Sequence, residues 1–374
     1  MKPTKRLLIT TDCFLPRWDG VARFLSTTIP YLKKHFIVRA LVPNFGKTTS
    51  NVLIRKFAVM PFHFGDIQFS FPHLICIWKE VSKHDVVFNN TLGPIGMCAI
   101  LCARMQHKPV ISFVHSIEWD LAAEGFGGAK WFVRPLVRSL AKFFYQQCSL
   151  LLVPSNEVAN TLRRANITTP FTVVGLGVDT RMFIPPKTKR AAKKKLGIDP
   201  NAIVIGYHGR LGREKDLQTL VSAWKNLCKK TDSAHHSPLL LIVGAQIDET
   251  IPKERSVLTP GSVNNVVPYV QAMDIFVLCS LTETTSLATL EAMACEVPVV
   301  VTPVGKIKEY IKDGQNGLLF ESKNADVLTA KLWELIHEPE SRELLGKNGR
   351  ATVLRSYRSV VQYKELVNAI KKTK

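Results

Sequence analysis

Residues 274–302 read DIFVLCSLTETTSLATLEAMACEVPVVVT. Ile275 to Cys279 and Val297 to Val301 are unbroken apolar runs of strand length, the pattern of strands covered on both faces in a parallel sheet. Between them Ser286 is placed to cap a helix through Leu287, Leu290, Met293 and Ala294. Strand, polar loop, helix, strand makes a βαβ unit. Glu291 is the only charged residue between Thr284 and Cys295, and a carboxylate in so apolar a helix is costly to bury without a specific partner. Glu283 stands just before the helix, where its carboxylate and the free N–H groups of the first turn face one spot suited to an anion or a hydroxyl-rich ligand. Taken singly, Glu283 reads as a surface acid and Glu291 as the partner of a structural Lys or Arg. The pair, spaced E-x7-E between two buried strands, is a different matter.

The alternation continues outward from this unit. Strand patterns fall at 6–11, 36–42, 86–88, 109–114 and 149–153, with helices through Phe24 to Leu32, at 95–105 and at 129–147, and one opening at Ser155. A second series begins at AIVIGYHG (202–209) and runs to about residue 350. The segment 181–200, with Pro185, Pro186 and the run KTKRAAKKK, reads as the boundary between two α/β domains. A last helix is expected over 354–372. Two doubly wound domains offer two sets of strand C-termini, where ligands collect.

GRLGREKD (209–216) follows a buried strand and precedes a helix near Leu217. A Gly-rich turn at Gly209 brings backbone N–H groups close to a phosphate, and Arg210 and Lys215 add positive charge. The string E-x7-E-A-M-A-C-E-x-P-V-V-V-T together with G-R-L-x-x-E-K resembles the retaining nucleotide-sugar glycosyltransferases of family 4, which have the GT-B fold. The resemblance implies two Rossmann-like domains facing a cleft, an acceptor-binding domain over 1–180 and a donor-binding domain over 181–352. It also implies a C-terminal helix, 353–374, crossing back to the first domain. By the same resemblance Arg210 and Lys215 stabilise the departing diphosphate, helped by the helix N-terminus formed by Thr284, Thr285, Ser286 and Leu287. Glu291 holds ribose hydroxyls, Glu283 orients the sugar, and His115 touches the donor sugar. Gly20 lets a helix approach a phosphate, although Asp19 stands where relatives carry another glycine. VVGLGVDTRMF (173–183) resembles an element at the domain junction, and TPGSVNNVVPYVQAMD (259–274) the turn near the nucleotide base. TPVGKIKEYIKDGQNGLLF (302–320) continues the match, with Lys306 in place of a second glycine. The resemblance implies no cofactor and no bound metal.

The chain has 374 residues, 46% hydrophobic and 21% charged, and a formal net charge of +20, so partners carrying negative charge are expected. Nucleic acid is disfavoured, because no recognised nucleic-acid motif or basic sheet with stacking aromatics occurs. A sugar-nucleotide epimerase is the nearer rival. The eight cysteines include no C-x-x-C pair and read as reduced thiols of a cytoplasmic protein. The opening MKPTKRLLITTDCF has too short an apolar run for a signal peptide and reads as a first strand. The helix 129–147 places Lys130, Arg134, Arg138 and Lys142 at steps of four beside Trp131, Phe132, Leu136 and Leu140. It is read two ways, as an interfacial helix on an anionic membrane or as a solvated basic face. The first reading makes the acceptor a lipid and places the protein peripherally on the inner face of the cell membrane.

Overall fold

The computed structural model describes residues 5–17, 20–47, 53–64, 67–125, 130–230, 238–244 and 251–373. The chain divides into two compact units, Met1–Gly175 with Val361–Lys374, and Leu176–Val360.

The first unit carries β1 (Arg6–Thr10), β2 (Ile37–Pro43), β3 (Leu53–Phe57), β4 (Val59–Phe64), β5 (Ile67–Ser70), β6 (Val86–Asn89), β7 (Val110–Phe113), β8 (Leu150–Val153) and β9 (Phe171–Val173). Seven of these form one parallel sheet in the order β3-β2-β1-β6-β7-β8-β9, while β4 and β5 pair as a separate antiparallel hairpin. Strands such as Val86–Asn89 and Val110–Phe113 are buried at every position, as expected where helices cover both faces. Leu8, Leu41, Val87, Val110 and Leu151 form the floor of one face, on which the helices Leu74–Ser82, Pro94–Met105 and Lys130–Tyr145 pack.

The second unit carries β10 (Val204–His208), β11 (Leu239–Val243), β12 (Val257–Gly261), β13 (Ile275–Leu278), β14 (Val299–Val301) and β15 (Leu318–Leu319). They form a parallel sheet in the order β12-β11-β10-β13-β14-β15. The strand order reverses between β10 and β13, so their C-terminal ends flank the crevice where open α/β sheets bind ligands.

The segment 181–200 lies within the second unit, which starts at Leu176. Thr188 caps its helix Lys189–Lys195, and two of the lysines find partners. Buried Lys193 pairs with Asp274 at 2.7 Å, and Lys189 donates to the Gln271 and Met273 carbonyls at 3.3 and 2.5 Å. The final helix is two helices, Pro339–Ser356 and Ser359–Lys372. They are separated where Val178 N–H donates to Tyr357 O and Ser359 N–H donates to Val178 O, each at 2.9 Å. Residues 353–360 therefore stay with the second unit, and 361–374 belong to the first.

Candidate active site

The site is built at the C-terminal ends of β10 and β13. After His208 the backbone turns at Gly209, whose φ of +150° suits glycine. Its N–H donates to Val243 O at 3.0 Å, and the buried Tyr207 hydroxyl donates to Arg210 O at 2.5 Å. The loop is thus fixed before any ligand binds. After β13, the chain reaches the cap of the helix Leu287–Ala294, where Ser286 sits at φ +58° and its hydroxyl accepts from Thr289 N–H at 3.3 Å.

Lys215 Nζ donates to Glu283 Oε1 at 2.6 Å, tying the two loops together, and the Ser280 hydroxyl donates to the same oxygen at 3.1 Å. Arg210 pairs with Glu214 at 2.5 Å. Both cations are held by carboxylates. Leu281 N–H donates to Glu214 O at 2.8 Å, a second tie between the loops. A third segment closes on them. Lys306 N–H donates to Thr284 O at 3.0 Å and the Tyr310 hydroxyl to Thr285 O at 2.8 Å. Gly305 is at φ +53°, and a Cβ there would lie 1.9 Å from Glu283 O, so this approach requires glycine.

Glu291 is buried, and the His208 ring lies beside its carboxylate, with Nε2 3.7 Å from Oε2. His208 is buried at the end of β10 and tilts against Phe276. The Thr285 hydroxyl is buried with no hydrogen-bond partner among the described residues, at a place where an unmade bond is costly. It stands one residue ahead of the helix cap. The structure brings together Arg210, Lys215, Glu283, Thr285 and Glu291, which sequence reasoning had named, and adds His208, Tyr207, Gly305 and Tyr310, which it had not. The only sequence signal for His208 was a histidine ending an apolar strand.

In the first unit His115 follows β7, stacks on Phe113 at 4.4 Å and meets Phe24 edge-on at 4.9 Å. Burial pushes its pKa down to about 3, so the imidazole is neutral, and Nε2 lies 3.3 Å from Asn90 Oδ1. Gly20 opens the helix Gly20–Leu32, and a Cβ there would meet nothing within 4 Å; Asp19 lies outside the described residues. Burial raises the Glu118 carboxyl to about 7. Tyr145 donates to Glu118 Oε1, while Glu118 Oε2 is buried with no partner among the described residues.

The helix Lys130–Tyr145 turns its aromatic residues outward. Trp131 is 81% exposed, and Phe132, Leu136, Leu140 and Phe143 are exposed with it. The basic stripe is less free than the spacing implied. Arg134 pairs with Asp120 at 2.8 Å, and Arg138 donates to Arg164 O at 2.8 Å. Lys142 is half-buried, and the Lys130 side chain lies outside what is described. Among the described residues, no helix is long and apolar enough to cross a membrane.

Two family models match this chain, Glycosyltransferase Family 4 over residues 18–182 and Glycosyl transferases group 1 over residues 188–352. The chain is 24% identical over 96% of its length to the capsular polysaccharide biosynthesis glycosyltransferase CapM of Staphylococcus aureus, covering 94% of that protein. It is 25% identical over 90% of its length to the alpha-monoglucosyldiacylglycerol synthase of Streptococcus pneumoniae, covering 80% of it. Its fold is similar to that of HepE from Anabaena, solved with UDP and glucose, at a TM-score of 0.79, with 98% of this chain and 100% of that one covered at 16% identity. Two parallel Rossmann-like sheets, with loops meeting at the switch point of the second, accord with both models. The chain belongs to the GT-B glycosyltransferases of family 4.

Proposed function

We propose that this glycosyltransferase moves a hexose from a nucleoside diphosphate sugar to an acceptor hydroxyl with retention of anomeric configuration. The observation that carries the reading is the 2.6 Å Lys215–Glu283 bond at the switch point, which brings a phosphate-type glycine loop and a carboxylate-bearing helix entry to one place. In this reading the diphosphate takes over Arg210 and Lys215 from Glu214 and Glu283. The leaving-group charge then meets two cations and the N-terminus of the helix Leu287–Ala294, not a metal ion. Glu283, released, accepts from a sugar hydroxyl, and Glu291 accepts from the ribose. The sugar C1–O bond to the diphosphate breaks as a bond to the acceptor oxygen forms on the same face. The acceptor proton passes to the departing phosphate oxygen. The same reading assigns neutral His115 to the donor sugar and Gly20 to a phosphate contact.

The acceptor in this reading is a lipid. What supports it is the likeness to a glucosyldiacylglycerol synthase and the outward aromatic row of the helix Lys130–Tyr145, which suits an anionic membrane. The test is incubation with UDP-, GDP- and ADP-sugars, with and without anionic lipid extract, reading nucleotide release and lipid-linked sugar. Release from one donor that depends on lipid supports donor and acceptor together. Lipid-independent transfer to a soluble acceptor removes the lipid, and absence of donor turnover under every condition removes the reading.

A further inference from the structure

The aromatic row on the helix Lys130–Tyr145 is not isolated on its side of the first unit. The helices Leu74–Ser82 and Pro94–Met105 pack on the same sheet face and share the same buried core, and Gln106 Nε2 donates to Trp78 O at 3.1 Å across them. Both helices also turn large apolar residues to solvent. Ile75 is 64% exposed and Met105 69%, with Leu74, Trp78 and Leu101 exposed beside them. Scattered exposed leucines need no explanation, but a cluster of this size on adjoining helices marks an interaction surface.

The exposed charge on the two helices is of one sign. Lys79, Lys83 and Arg104 are exposed on or beside these two helices. The one acid in either, Glu80, is buried and pairs with Arg39 at 2.7 Å, so no carboxylate of these helices faces solvent. At the start of the helix Leu74–Ser82 opens a cavity of about 360 Å³. Arg55, Lys56 and His73 line it above Phe57 and Cys76, and no carboxylate is among the lining residues. An apolar surface ringed by cations, with a cationic recess at its edge, is complementary to phosphate headgroups over hydrocarbon.

We propose that the outer face of the helices Leu74–Ser82 and Pro94–Met105 docks on an anionic lipid bilayer. Leu74, Ile75, Trp78 and Met105 enter the headgroup boundary, and the recess at Arg55 and His73 receives a lipid phosphate. This extends the membrane contact beyond the helix Lys130–Tyr145 and rests on the reading of the acceptor as a lipid. A second copy of this chain is disfavoured as the occupant, because two such faces would bring like charges together.

The experiment is flotation of the full-length protein with vesicles of phosphatidylcholine alone and of an equimolar mixture with phosphatidylglycerol. Nucleotide release from the donor sugar is measured separately in detergent-solubilised lipid. The variant Ile75→Ser/Trp78→Ser/Met105→Ser is expected to lose roughly tenfold or more of its vesicle partitioning with its melting temperature kept. Should it fail to fold, the exposed pair Arg55→Glu/Arg104→Glu serves, and is expected to lose binding on the anionic vesicles. Unchanged flotation of a folded variant overturns the proposal, as does equal binding of the wild type to both vesicles. A wild type that floats with neither also overturns it, leaving the face to a protein partner or a second copy. Loss of donor turnover with flotation as expected sinks the transferase reading and leaves the docking surface standing.

Discussion

Lys215→Ala separates what the site does for folding from what it does for reaction. Lys215 and Glu283 are each about one-seventh exposed, and their bond is 2.6 Å. A charge-assisted bond so placed contributes about 1.5–3 kcal/mol. Its loss leaves Glu283 with the Ser280 hydroxyl as its hydrogen-bond partner among the described residues. About 2 kcal/mol in a unit of this size lowers the melting temperature by roughly 4–8 °C. The effect on rate is separate, because Lys215 is assigned to charge that develops only as the diphosphate departs. Losing one such donor typically costs ~10²–10³ in rate, or about 2.7–4 kcal/mol. The double variant Lys215→Met/Glu283→Gln removes both charges and should recover most of the melting temperature while remaining slow. Calorimetry and nucleotide release on the three proteins make the comparison. Wild-type turnover in Lys215→Ala, or recovery of rate with stability in the double variant, would refute the assignment.

Other outcomes follow from the same structure. Thr285→Val removes a buried hydroxyl that has no partner among the described residues; stability should hold or rise slightly, and donor KM should rise about tenfold, the worth of one hydrogen bond of about 1.4 kcal/mol. Lys193→Met removes the 2.7 Å partner of buried Asp274, leaving Lys189 and the Val204 N–H to offset its charge, and chemical denaturation should show a loss of about 3 kcal/mol. Glu118→Gln should flatten the pH dependence of stability. Burial raises the Glu118 carboxyl to about 7, so between the unfolded value and 7 the folded protein binds the proton more tightly than the unfolded chain. That contribution is complete below the unfolded pKa and is lost as pH rises through 7. The variant should therefore gain on the wild type between pH 5 and pH 8, by on the order of 2 kcal/mol; a constant difference in melting temperature across that range would contradict it.

Much of the fold was legible because buried parallel strands announce themselves. Ile275–Leu278, Val204–His208 and Val299–Val301 are buried at every position, and Ser286 caps the helix where the sequence placed it. What the sequence hid were pairings between distant segments. The run KTKRAAKKK looks solvated until Asp274 and the carbonyls of Gln271 and Met273 are placed beside Lys193 and Lys189. The break at Tyr357 is set by the backbone of Val178, a contact that no local propensity encodes. In the site, the E-x7-E spacing located Glu283 and Glu291, but neither Lys215 as the partner of the first nor His208 as the neighbour of the second is visible along the chain. The run of lysines and arginines at steps of four on the helix Lys130–Tyr145 likewise says nothing of Asp120 or Arg164, which engage Arg134 and Arg138.

The central claim is that sugar leaves a nucleoside diphosphate and arrives on an acceptor hydroxyl with its configuration kept. The most direct measurement is nuclear magnetic resonance of the product made from one α-linked donor of defined anomeric purity. An α-linked product, formed in step with nucleoside diphosphate release, is the predicted result. A β-linked product would contradict retention, and donor consumed to free or epimerised sugar without any acceptor linkage would contradict transfer.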